Sequence, residues 1–177
     1  MSNAEKTARS YMAAVESAVN RVQARMPCVT VPLMLAIIDK RSGWGWDETY
    51  YPKGNPAGRC QHRRGCGFYE FDKHQHRGFI QSGRWSDVEE ATVYYCECVL
   101  QIHRVALAWH IKDDEALMSA MLAATDAGTI SVINRVVRGE NPDTATVGDN
   151  YSADVLDRAK RWSQWYSKSK EEYDGKL

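Results

Sequence analysis

The chain has 177 residues, enough for one domain that buries roughly two-thirds of its unfolded surface. Hydrophobic residues make up 44% and charged residues 26%, a globular balance that excludes an extended disordered chain. Lys+Arg and Asp+Glu are both 23, so no global field recruits nucleic acid or an anionic membrane, and no stretch reaches the roughly 18 apolar residues of a membrane span.

The opening Met1-Ser2-Asn3-Ala4-Glu5-Lys6 is charged and lacks the apolar core of a secretory signal. A helix is predicted over 5–26, where Tyr11, Met12, Val15, Val19 and Val22 recur at the spacing of one buried face. Pro27 and Pro32 interrupt it, and Leu33 to Lys40 forms a second, short helix. Ser42 to Gly67 is dense in glycine and proline, a loop signature. Phe68-Tyr69-Glu70-Phe71-Asp72 then mixes bulky and acidic residues as a strand of a small sheet would. Ser86-Asp87-Val88-Glu89 is a capping-box pattern, with Ser86 as N-cap of a long helix to about Trp109. Asp113 or Asp114 caps the next helix, Glu115 to Thr125. Gly128 ends it, and Ile130 to Arg138 follows before Gly139. Asn150-Tyr151-Ser152 starts a last helix through Trp162 and Tyr166, ending in a charged tail.

Five cysteines are an odd number, so at least one stays outside any pairing within a monomer. Cys96 and Cys98 are too close on one helix to face each other. A disulfide scaffold is not expected at this length, and a reducing compartment is favoured.

The order of elements and four local motifs resemble the goose-type lysozyme and soluble lytic transglycosylase family, from about Pro32 to Trp162. The helix Leu35-Ala36-Ile37-Ile38-Asp39-Lys40-Arg41-Ser42-Gly43 ends as the family's catalytic helix does. Gly65-Cys66-Gly67-Phe68-Tyr69-Glu70-Phe71-Asp72-Lys73 resembles the glycine-flanked strand, with His76 where the family continuation also carries His. Trp85 and the capped helix that follows match as well, Ala124-Thr125-Asp126-Ala127-Gly128 corresponds to Ala-Tyr-Asn-Ala-Gly, and Asn150-Tyr151-Ser152 to the Asp-Tyr-Ser segment. The resemblance implies an α+β, mainly α-helical, lysozyme-like (goose-type) fold with a small β-sheet beside the cleft. It implies one domain over 1–177, with an N-terminal helical segment (1–31), a family-like core (32–162) and a charged C-terminal tail (163–177).

The departures from the family fall where cleft-facing residues are expected. The general-acid Glu is Arg41, and a guanidinium does not release its proton near neutrality. A gapped alignment puts the family's loop Asp at Gln61, beside a retained His62. The Met-Gln pair is Tyr69-Glu70, and the Tyr-Asn pair is Thr125-Asp126, while Asp72 and Tyr151 remain. Arg41, Gln61, His62, Tyr69, Thr125 and Tyr151 are therefore the expected ligand-binding positions.

If hydrolysis survives, Glu70 with Asp72 or Asp126 would carry it, because two nearby carboxylates can split their pKa values into an acid and a base. Asp47 or Glu48 would add a loop carboxylate. The simpler reading pairs Glu70 with Arg41 and lets Asp72 tie down its loop. Cys60, His62, Cys66, His74 and His76 lie close in sequence, but their spacing is not a standard zinc pattern. A Cys60–Cys66 bridge is as compatible with them, and neither metal nor cofactor is expected. Trp44, Trp46, Tyr50 and Tyr51 offer faces for sugar stacking, against which stands a small satellite core under the loop. Trp162, Trp165 and Tyr166 read as helix packing, and His103 and His110 as structural.

The favoured reading is a pseudoenzyme whose repurposed cleft binds a peptidoglycan-like or N-acetylglucosamine polymer, or a protein partner, with a place in a larger assembly also compatible. The alternatives are an active glycosidase or transglycosylase with rearranged acids, and a cleft rebuilt for another small-molecule reaction.

Overall fold

A computed structural model describes residues 2–46, 60, 61, 65–111 and 113–174. The chain is mainly α-helical. Its helices are α1 (Asn3–Gln23), α2 (Val31–Ser42), α3 (Arg77–Gln81), α4 (Val88–Ala108), α5 (Asp114–Ala127), α6 (Thr129–Val137) and α7 (Tyr151–Asp174). No helix among the described residues is long and apolar enough to cross a membrane. Strands β1 (Cys60–Gln61) and β2 (Gly65–Cys66) form a two-residue antiparallel ladder, pairing Cys60 with Cys66 and Gln61 with Gly65.

The chain divides into two compact units. The first comprises Met1–Tyr95 and Arg158–Leu177, the second Cys96–Asp157. The expected N-terminal segment and charged tail both belong to the first unit. The tail does not trail away: α7 continues to Asp174, and Arg9 of α1 bonds the Glu172 carboxylate at 2.9 Å. Tyr166 and Lys170 both reach Glu16, at 2.7 and 3.3 Å, and burial and the Glu16 carboxylate push the Tyr166 phenol up to about 12.

In the first unit, α1 starts at a capping box in which Ser2 and Glu5 satisfy each other's backbone amides. Its Val15, Ala18, Val19 and Val22 are buried at three- and four-residue steps. The next helix, α2, is capped by Thr30 and buries every residue from Leu33 to Ile38, so its apolar run is a core helix rather than a surface one. Gly43 ends it in the left-handed region (φ 55°), and Trp44 follows at φ 58°. That conformation is costly for a bulky residue. It is offset by complete burial of the indole, which packs on Phe68 and Trp162 with ring centroids 5.5 and 6.0 Å away. Trp46 is anchored by its indole N–H, which donates to Thr7 Oγ1 at 2.8 Å. Both tryptophans therefore act as satellite core. Asp47, Glu48, Tyr50 and Tyr51 lie outside the described residues.

The predicted strand over Phe68–Asp72 is instead a tight turn. The amide of Glu70 donates to the Gly67 carbonyl at 3.1 Å, and Cys66 and Phe71 exchange two backbone hydrogen bonds of 3.0 Å. Gly65 (φ 117°) and Gly67 (φ 72°) make it possible: a Cβ on Gly65 would collide with the Glu70 carbonyl, and one on Gly67 would meet the Trp85 carbonyl at 2.8 Å. The long helix also begins one residue later than its pattern suggested. Asp87 Oδ1, not Ser86, accepts the Glu90 amide at 2.9 Å, and Glu89 turns outward to Ser17 and Arg21.

The second unit packs α5 and α6 with the 3-10 turn Pro142–Ala145. Asp113 caps α5 by accepting the Ala116 amide at 2.7 Å. At its centre, Asp143 is 2% exposed and its carboxylate accepts three hydrogen bonds. These come from the Ser152 amide (2.7 Å), the Ser152 hydroxyl (2.8 Å) and the Ala153 amide (3.1 Å). An internal carboxylate thus closes the N-terminus of α7, satisfying two amides that have no partner within the helix. Ser119 extends the network to Ser152 at 2.6 Å.

Candidate functional site

Arg41 occupies the last turn of α2, fixed by the left-handed stop at Gly43 and Trp44. It is half-buried, its Nε is shielded from solvent, and its Cζ lies 5.9 Å from the centroid of the Tyr95 ring. A guanidinium over an aromatic face is a favourable cation–π placement. Two residues earlier, Asp39 accepts from Arg158 at 2.8 Å.

Tyr69 departs from its expected role. It is 1% exposed, stacks on Tyr95 at 4.7 Å and shares a 2.8 Å hydrogen bond with Thr92. The side chain is core, and its hydroxyl is spent inside the protein rather than offered to a ligand. Its neighbour Glu70 is half-buried, with a shielded Oε1, and is held at φ 50°. A non-glycine residue in that region costs about 1 kcal/mol, and such outliers concentrate where position serves function.

Asp72 is exposed and does not sit in a strand alternation with Glu70. Its Oδ1 accepts the amides of His74 and Gln75, both at 2.9 Å, and the Gln75 bond above all holds its carboxyl below the usual range. A carboxylate stabilised as the anion is a poor proton donor. Two amide bonds make it a tether of its own turn.

His76 is half-buried just before α3 and not on a strand. Its Nδ1 is 3.1 Å from the Tyr94 hydroxyl, and its ring meets Phe71 edge-on at 5.3 Å. Burial holds its pKa below 6.5, Asp72 opposes that, and Arg41 reinforces it. The unfolded chain therefore binds the His76 proton more readily, and this contribution to stability is present above pH 6.5 and lost as pH falls toward the lower folded value. Asp72 acts in the same direction in a separate window: its contribution is present above 3.8 and lost as pH falls through its depressed value. We expect the urea midpoint to drop between pH 7 and pH 5, with a His76 share no steeper than about 1.4 kcal/mol per pH unit. His76→Gln should flatten that share. An unchanged slope would assign the pH dependence to other groups.

Cys60 and Cys66 form a disulfide, the bridge that the sequence left open as an alternative to metal binding. Among the described residues no three His, Cys, Asp or Glu side chains are placed to hold a metal ion. His62 lies outside the described residues, and of Gln61 only its backbone pairing with Gly65 is described.

Comparison of the chain with models of known protein families, and with curated proteins, gives no match.

The remaining expected site residues belong to the second unit. Asp126 is exposed near the end of α5, and Thr125 Oγ1 donates back to the Leu122 carbonyl at 2.7 Å. Tyr151 is 4% exposed with an enclosed hydroxyl, so it is a packed residue and not an open wall. The sequence reading missed Asp143 altogether. Asn141-Pro142-Asp143 signals a turn, but nothing local reveals that the Asp143 carboxylate reaches the helix starting eight residues later.

Proposed function

We propose that this is a lysozyme-like protein whose sugar-binding groove has been repurposed, and that it binds a carboxylate-bearing glycan of the peptidoglycan type without hydrolysing it. The observation that carries the reading is Arg41. A permanently charged group stands at the end of a buried helix, where the family resemblance calls for the proton donor, beside the aromatic face of Tyr95. The state of Asp72 supports the same side, since it is exposed, bonded by two amides and favoured as the anion. Loss of a general acid alone removes about 10²- to 10⁴-fold of rate.

The test compares wild type, Arg41→Glu, Arg41→Ala and Glu70→Gln in cell-wall clearing and in binding of soluble peptidoglycan fragments. Wild type should show no turnover, and Arg41→Ala should weaken fragment binding by about 10- to 100-fold, the worth of one charge-assisted hydrogen bond. Clearing by Arg41→Glu alone would reveal an inherited groove that lost only its acid. Clearing by wild type that Glu70→Gln abolishes would instead establish a hydrolase with rearranged acids.

A further inference from the structure

We propose that the Cys60–Cys66 bridge is a reversible thiol–disulfide latch holding β1 onto β2. The two ends of the bridge are anchored very differently. Cys66 is fully buried, exchanges two backbone hydrogen bonds with Phe71, and lies between Gly65 and Gly67, neither of which has room for a Cβ beside the Glu70 and Trp85 carbonyls. None of those contacts needs the sulfur. Cys60 is exposed, and its strand meets β2 over two residues only, a ladder too short to persist by itself. The bridge joins residues six apart, and closing so short a loop adds least to global stability. Its effect is therefore local.

The exposed end also sets the chemistry. A thiolate of a dithiol reductant attacks Cys60 Sγ, forming a mixed disulfide as the Sγ–Sγ bond breaks and Cys66 leaves as a thiolate that takes up a proton. The second thiol of the reductant then attacks its own mixed-disulfide sulfur, releasing Cys60 and leaving the reductant as a cyclic disulfide. Two electrons and two protons pass to the protein. Strand β1 comes free, while β2 and the turn bearing Glu70 stay docked.

The experiment uses the full chain purified without reductant. Thiols are trapped with iodoacetamide and located by peptide mass spectrometry, before and after dithiothreitol. Hydrogen exchange at the amides of residues 60, 61 and 66 and far-ultraviolet circular dichroism are followed in parallel. Cys60 and Cys66 should become alkylated together only after reduction, with helical signal retained and exchange accelerated about tenfold or more at 60 and 61 while the Cys66 amide, bonded to the Phe71 carbonyl, stays protected. Cys60→Ser should show the fast exchange at those two residues with no reductant present. Alkylation of Cys60 before reduction, resistance of the bridge to dithiothreitol, loss of helix on reduction, or unaltered exchange in Cys60→Ser would each overturn the latch.

Discussion

Asp143→Ala should lower stability by about 3–5 kcal/mol, the combined worth of three buried hydrogen bonds lost and the cavity left behind. The substitution removes the acceptor for two helix amides and one hydroxyl at once. It also leaves a cavity where a 2%-exposed side chain stood. Urea unfolding followed by circular dichroism measures the loss, and thermal melting should show a drop of roughly 10 °C. Asp143→Asn keeps one carbonyl acceptor and the shape, so it should cost about half as much. An alanine variant within about 1 kcal/mol of wild type would mean that water replaces the carboxylate at the start of α7.

Gly65→Ala should be comparably damaging, at about 3 kcal/mol or more. The new Cβ would drive into the backbone carbonyl of Glu70 and lie 2.8 Å from that of Phe71, and neither is the yielding end of a side chain. The φ of 117° is also foreign to any L residue with a side chain. Gly78→Ala is the matched control, because nothing lies within 4 Å of its Cβ position in α3. It should be neutral or stabilising by up to about 1 kcal/mol. Equal behaviour of the two variants would refute the close packing of Gly65 against the turn.

The helices were legible because their signals are local. The Val15–Val22 face, Pro32, Asp113 and Gly128 each lie within a turn of what they determine. The strand reading of Phe68–Asp72 failed because a mix of bulky and acidic residues over five positions also fits a turn anchored by three buried aromatics, Phe68, Tyr69 and Phe71. The two positive-φ glycines just before it carried the better signal. Asp72 was read correctly as a loop tether, since an Asp two or three residues ahead of free amides is itself a local device. Tyr69 was misjudged for the opposite reason. Whether a tyrosine hydroxyl faces a ligand or a threonine 23 positions away is decided by a distant helix, here through Thr92. The Asp143 network is long-range in the same way, and short-range pattern cannot reach it.

The distribution of indoles has a spectroscopic consequence. Of six tryptophans, residues 44, 46, 85, 162 and 165 fall in the first unit, and Trp109 alone in the second. Trp109 is 49% exposed and Trp44 fully enclosed, so iodide should extinguish the long-wavelength emission of one and spare the blue emission of the other. Intrinsic fluorescence can then follow the melting of each unit separately, with no label attached.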